Sequence, residues 1–277
     1  MRFCALLFLV LPSAQAALES GGDCDSATNR FHACSVVGGP LPSASASAAT
    51  LITPDNVNLT YSPYHWFVNG SASATTMNTG SYIRTLFTGN SVNITFNVSR
   101  MVSPPSQLYY KIDNGPLTPF IVGQSIPVAV PYNLTHGDVP YHYLEVIVKS
   151  MTETNTRWAR DPSPSTRVVF TGLSLEGGAV VAPTVPNDFN ILLFGDSISE
   201  GVLTLGGSQH FDTDHNDATV VYSYKLGSLL GGEIGVVGFG ATGLNRGGSG
   251  GVPPLGVSWN QLWDGQPRVF EPKPDVM

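Results

Sequence analysis

The segment Phe194-Gly-Asp-Ser-Ile-Ser-Glu-Gly-Val202 holds the residues of this chain best suited to chemistry. The apolar run Ile191–Phe194 precedes it and reads as a buried strand, and Ile198 onward reads as the entry to a helix. Ser197 therefore falls at a strand-to-helix turn, at the carboxyl end of the strand, where open α/β sheets bind ligands. A hydroxyl so placed can attack an acyl carbon, and its own backbone N–H can face the oxyanion that develops. Gly195 lets the chain turn tightly ahead of it. An ordinary Asp/Ser helix cap would use the same residues with no chemistry at all, so spacing alone leaves both readings open. The segment is not the G-x-S-x-G elbow of the α/β-hydrolases.

A second glycine-rich turn, Gly238-Phe-Gly240-Ala-Thr-Gly243-Leu244, follows the apolar run Ile234–Val237. Its spacing also fits the dinucleotide-binding fingerprint, but that fingerprint needs a helix to begin within the glycines. Asn245-Arg-Gly-Gly-Ser-Gly-Gly-Val-Pro-Pro254 follows instead and cannot be helical. Asp264, about 20 residues on, has no apolar strand before it to present it to a ribose. Nucleotide binding is set aside. A serine nucleophile also needs a base. Of the six histidines, His32, His65, His136 and His142 lie in the leader or the β-rich half. His210 and His215 lie nearest Ser197, in a polar loop with Asp212 and Asp214 that reads as a solvated connection.

The elements that must position these turns divide in two. From 51 to 180 the sequence is strand after strand. Val92, Ile94, Phe96 and Val98 alternate with Asn93 and Asn97, which share an outer face. Leu108–Asp113 and Thr118–Val122 flank an Asp113-Asn114-Gly115 hairpin signal. Leu144, Val146 and Val148 alternate with Glu145 and Lys149, and Arg167–Leu175 closes the set. Prolines at 104–105, 127–131 and 162–164 interrupt any helix. This predicts an antiparallel β-sandwich. Residues 181–188 read as a linker. From 189 to 277 the text changes to strand, helix over Val220–Leu230 and second strand, a βαβ unit of an α/β domain.

The first residues point to a compartment. Arg2, the apolar Cys4–Leu11 and Ala14-Gln15-Ala16 form a signal peptide over 1–16, and 17–50 is a Ser/Ala-rich lead-in. Its removal leaves Cys24 and Cys34 as an even pair, expected as a disulfide in an oxidising route. Sequons at Asn58, Asn69, Asn93, Asn97 and Asn133 suit a secreted, extracellular glycoprotein. Charged residues are 12% and the net charge is −7, which argues against nucleic acid. No later segment is long and apolar enough to span a bilayer.

The Phe194–Val202 segment closely resembles the first conserved block of the SGNH (GDSL-type) hydrolases. The layout is similar to carbohydrate esterase family 2, a jelly-roll-like β-sandwich followed by a flavodoxin-like α/β domain. Tyr61-Ser-Pro-Tyr-His-Trp66, Gly172-Leu-Ser-Leu175 and Gly238–Leu244 fit that layout. The resemblance implies Ser197 as nucleophile and one oxyanion donor, with Gly243 the second donor and Gly240 the alternative. It implies hydrolysis of an ester-bearing carbohydrate or small acyl ester through a seryl acyl-enzyme, with no metal or organic cofactor. The family's third block should follow a strand beginning Pro274-Asp275-Val276, and its terminal His/Asp block would lie beyond Met277. A C-terminally truncated and inactive chain is therefore expected. One helix would leave its parallel sheet partly uncovered and protease-sensitive after about residue 185. The rival reading is a secreted glycan-binding sandwich, with Tyr61, Tyr64, Trp66 and Trp158 exposed to stack on sugars rather than filling the core.

Overall fold

A computed structural model describes residues 48–131, 141–208 and 213–277. The signal peptide, nearly all of the lead-in, the Cys24–Cys34 pair, Asn133 and His210 lie outside the described residues. Alternating sequences from 50 to 182 form two antiparallel sheets. In the first, β3 (Trp66–Asn69), β4 (Ser73–Thr76), β11 (Val168–Leu175), β6 (Ser91–Phe96) and β9 (Ser125–Ala129) lie in that order, with β1 (Thr50–Ile52) also on β11. In the second the order is β12 (Val181–Ala182), β5 (Tyr82–Phe87), β10 (His142–Ser150), β7 (Gln107–Ile112) and β8 (Thr118–Ile121), with β2 (Thr60–Tyr61) also on β5.

The alternation works as expected in β6, where Val92, Ile94 and Phe96 are buried and Asn93 is exposed. These residues share one apolar core with Ile83, Phe87, Leu144, Val146 and Val148 of the second sheet. The β7–β8 hairpin turns at Asp113-Asn114-Gly115, where the Gly115 N–H donates to the Ile112 carbonyl at 2.9 Å. The linker expected at 181–188 begins later, because Val181 and Ala182 pair with β5.

Beyond 189 the pattern becomes parallel. β13 (Asn190–Gly195) and β14 (Glu233–Gly238) pair in register from Asn190↔Glu233 to Gly195↔Gly238. On the other side of β13, Val276 makes a parallel bridge to Ile191 and accepts from the Leu192 N–H at 2.9 Å. Three short helices follow the strands: α1 (Ser197–Glu200), α2 (Tyr222–Leu230) and α3 (Leu255–Ser258). A hairpin of β15 (Gln261–Trp263) and β16 (Gln266–Pro267) completes the set. No helix among the described residues is long and apolar enough to cross a membrane.

The two portions bury each other, which corrects the expectation of a partly uncovered parallel sheet. One face of β13–β14, carrying Ile191, Leu193, Ile234 and Val236, packs on Leu226 of α2. The other face is not wet. Leu192 and Val237, with Phe239, Leu262 and Trp263, belong to the same core as the two antiparallel sheets. The outer face of β10 is likewise internal, with Glu145 and Lys149 at 7% and 4% exposure. Lys149 Nζ donates to the Thr213 and Asp214 carbonyls, at 3.2 and 3.0 Å. Arg84 bridges Glu145 (2.7 Å) to Glu233 at the start of β14 (2.9 Å), and the Tyr82 hydroxyl donates to Glu233 as well. Charges leave water only when paired, so these polar residues mark an internal seam. The aromatic platform does not form either. Tyr64 is buried, Tyr61 and Trp66 pack at 5.3 Å, and Trp158 meets Phe239 edge-on at 5.6 Å.

Candidate active site

At the carboxyl end of β13 the chain leaves the sheet through Asp196, whose carboxylate accepts from the Ile198 N–H at 3.0 Å and caps α1. Ser197 is the first residue of α1 and is half-buried. Its hydroxyl makes no hydrogen bond among the described residues. Ser199, one position past Ile198, is committed: its Oγ bonds the Tyr222 hydroxyl at 2.6 Å, and its carbonyl accepts from Ser223 Oγ at 2.5 Å. The structure thus brings out Ser197 as the serine of this turn with an uncommitted hydroxyl. The turn is held from below, since Thr79 Oγ1 donates to the Glu200 carbonyl at 2.9 Å and the Glu200 carboxylate pairs with Arg157.

The parallel register sets what stands beside Ser197. Gly195 is level with Gly238, so Ser197 and Gly240 each lie two residues past a paired position, at the same end of the sheet. The resemblance pointed to Gly243 as the second amide donor, with Gly240 the alternative. The Gly243 N–H donates to the Arg246 carbonyl at 3.0 Å, closing a turn whose four-residue span the sequence pattern did not reveal. The Gly240 N–H has no acceptor among the described residues, while its carbonyl accepts from the Ser249 N–H at 2.7 Å. The Glu153 carboxylate packs against the Gly240 α-carbon, so a side chain at 240 would have to displace it.

The described histidines are held elsewhere. His65, at 0% exposure, bonds Ser62 Oγ through Nδ1 at 3.0 Å and the backbone of Val236 on β14 through Nε2. Burial, helped by the nearby Arg268 guanidinium and opposed by the Val236 bond, lowers its pKa to about 3, so it is neutral. His142 Nδ1 lies 2.8 Å from Asp113. The His215 ring lies against Gly207. None is bonded to Ser197.

Sequence reading missed Glu153, Arg157 and Glu200, which are buried around this end of the sheet. A Glu and an Arg four residues apart, in a chain only 12% charged, were the available signal. Two clefts lie away from Ser197. One, of about 310 Å³, is lined by Asn69, Asn97, Arg100 and Arg167, and one of about 470 Å³ by Arg84, Tyr143, Glu145 and Tyr224. Among the sequons, Asn69, Asn93 and Asn97 are exposed. Asn58 is half-buried, and its Nδ2 donates to the Val181 carbonyl at 3.1 Å.

No family model matches the sequence, and no curated protein sequence matches it. Solved structures do. A family two carbohydrate esterase from Cellvibrio japonicus superposes with a TM-score of 0.64 at 20% identity, over 83% of this chain and 66% of that one. Over that region the chain shares the fold of the family two carbohydrate esterase structures. A family two carbohydrate esterase from Clostridium thermocellum, in complex with cellohexaose, gives 0.58 at 19% identity over 76% and 61%. The family 2 enzyme of Corynascus thermopiles (Myceliophthora fergusii), solved with a carbohydrate binding domain, gives 0.55 at 19% over 78% and 61%. The chain spans about two thirds or less of the length of these structures.

Proposed function

We propose that the protein is a secreted serine ester hydrolase of the carbohydrate or acetyl esterase type, acting through a seryl acyl-enzyme on Ser197. The paired antiparallel sheets are then its β-sandwich, and β13–β14 with α1 and α2 belong to its SGNH domain. The observation that carries this reading is the uncommitted Ser197 hydroxyl, at the same end of the parallel sheet as the Gly240 turn.

Ser197 Oγ adds to the ester carbonyl carbon as its proton passes to a base. The carbonyl oxygen becomes an oxyanion, received by the N–H groups of Ser197 and Gly240. Each such donor is worth about 10²–10³ in turnover. Collapse expels the alcohol, which takes the proton back, and water then cleaves the acyl-serine to the free acid. The substrate is an ester-bearing carbohydrate or a small acyl ester, and no step requires a metal or organic cofactor.

No described imidazole is bonded to Ser197, so an added base should speed turnover. Loss of the base from a serine hydrolase costs on the order of 10⁶ in turnover, about 8 kcal/mol of barrier. Imidazole added as an external base should therefore raise aryl acetate hydrolysis by this chain well above that of Ser197→Ala. Equal rates for the two proteins would refute the assignment.

A further inference from the structure

Arg157 belongs to the loop between β10 and β11, in the two-sheet portion, yet it reaches both turns of the candidate site. Its side chain is 0% exposed. Nη2 donates to Glu200, on α1 three residues after Ser197. Nη1 stands 3.5 Å from Glu153 Oε1, and it is the Glu153 carboxylate that packs against the Gly240 α-carbon. The guanidinium also lies 5.2 Å from the ring centre of Phe239, the residue before Gly240. The chain passes close on the far side at Gly250, with φ +73°, where a side chain would strike Arg157.

We infer that Arg157 is a positioning residue that fixes the separation and orientation of the Ser197 and Gly240 amides. The assignment rests on the proposed function for what those amides do, but the clamp itself follows from the contacts. α1 has four residues, too few to hold its own geometry by internal hydrogen bonds. The segment from Gly238 to Gly251 contains seven glycines and no regular element longer than one turn. Neither turn is stiff by itself. One planar guanidinium joins them through two carboxylates at a depth where charge attraction is little screened. The cluster is not built for stability. It sets two carboxylates against one cation, and Glu153 Oε1, Glu200 Oε2 and Arg157 Nε and Nη1 lack hydrogen-bond partners. A buried ionic group that adds little net stability can still impose one geometry, and that is its role here.

The test uses the full chain with Arg157→Met, Arg157→Lys and Glu200→Gln. Amide hydrogen exchange, read by mass spectrometry, compares residues 195–202 and 238–244 with strands β7 and β10 as controls. Arg157→Met should speed exchange about tenfold or more in both turns and leave the controls unchanged, with Arg157→Lys intermediate. Glu200→Gln, nearly isosteric and able to fold where Arg157→Met does not, should loosen 195–202 more than 238–244. In aryl acetate hydrolysis with imidazole, normalised by fluorophosphonate titration of the active serine, Arg157→Met should lower kcat about 100-fold. KM should change less than twofold, and Arg157→Lys should recover part of the loss. Unchanged exchange in both turns, or a uniform rise that includes β7 and β10, would overturn the clamp. So would a change in KM with kcat preserved. If the unaltered protein shows no turnover, exchange alone decides the clamp, and the missing turnover counts against the esterase reading instead.

Discussion

Replacing Leu192 with alanine should destabilise the whole chain from residue 50 onward, not only its parallel sheet. Leu192 is 1% exposed on β13 and lies in the core that also contains Leu144 and Val146 of β10. Truncation removes three carbons, about 2.4 kcal/mol of transfer free energy at roughly 0.8 kcal/mol each. A cavity contribution raises the total to about 3 kcal/mol, inside the usual Leu→Ala range. At about 2–4 °C per kcal/mol for a body of this size, Tm should fall by roughly 6–12 °C. Leu144→Ala, at 2% exposure in the antiparallel part, should give a shift of similar size. Differential scanning calorimetry should show one transition, moved by both substitutions, because Arg84–Glu233, Lys149–Thr213 and the shared core couple the two portions. Two transitions, with Leu192→Ala moving one and Leu144→Ala the other, would show that the common core does not make one cooperative unit.

Three further expectations can be checked separately. Gly240→Ala keeps its N–H but drives a Cβ into the Glu153 carboxylate, so it should shift that turn and lower imidazole-assisted aryl acetate hydrolysis about 100-fold, whereas Gly243→Ala, with ordinary contacts at 3.5 Å, should stay within about twofold; the reverse order would count against the Gly240 turn as part of the site. His65 has a folded pKa of about 3 against an ordinary 6.5, so the unfolded chain binds the extra proton between those values. Stability should therefore fall as pH drops from about 6.5 towards 3, and the fall should be shallower in His65→Gln; parallel Tm-versus-pH curves for the two proteins would contradict this. Expressed through a eukaryotic secretory route, the protein should carry N-glycans at the exposed Asn69, Asn93 and Asn97 and little or none at Asn58. Glycopeptide mapping reads this directly, and unmodified peptides at all of these sites would remove the secretion reading.

What was legible in the sequence was local. Period-two alternation at Val92, Ile94 and Phe96 required a half-buried strand, and Asp113-Asn114-Gly115 required a turn. Continuous apolar runs at Ile191–Phe194 and Ile234–Val237 required a sheet covered on both faces. What was not legible depended on residues far apart. Glu145 and Lys149 carry the pattern of a solvated face, and nothing local shows that residues 213–224 and Glu233 cover them. Gly240 and Gly243 are equivalent as letters, and only the fold bonds the Gly243 N–H to Arg246 and packs Glu153 on Gly240. Arg157 is an ordinary loop residue until Glu200, 43 positions on, folds against it. The Gly195–Gly201 segment was readable because its turn, its cap and Ser197 lie within seven residues; the groups that hold it in place come from the other portion of the chain.

The central claim is that Ser197 is the nucleophile of an ester hydrolase, and covalent labelling tests it most directly. The chain is incubated with a fluorophosphonate in the presence of imidazole, digested and mapped by mass spectrometry. A phosphonyl adduct on Ser197, absent from Ser197→Ala and unaffected by Ser199→Ala, is the predicted result. Labelling that is equal in the wild-type chain and Ser197→Ala, or that falls on another residue, would contradict the account.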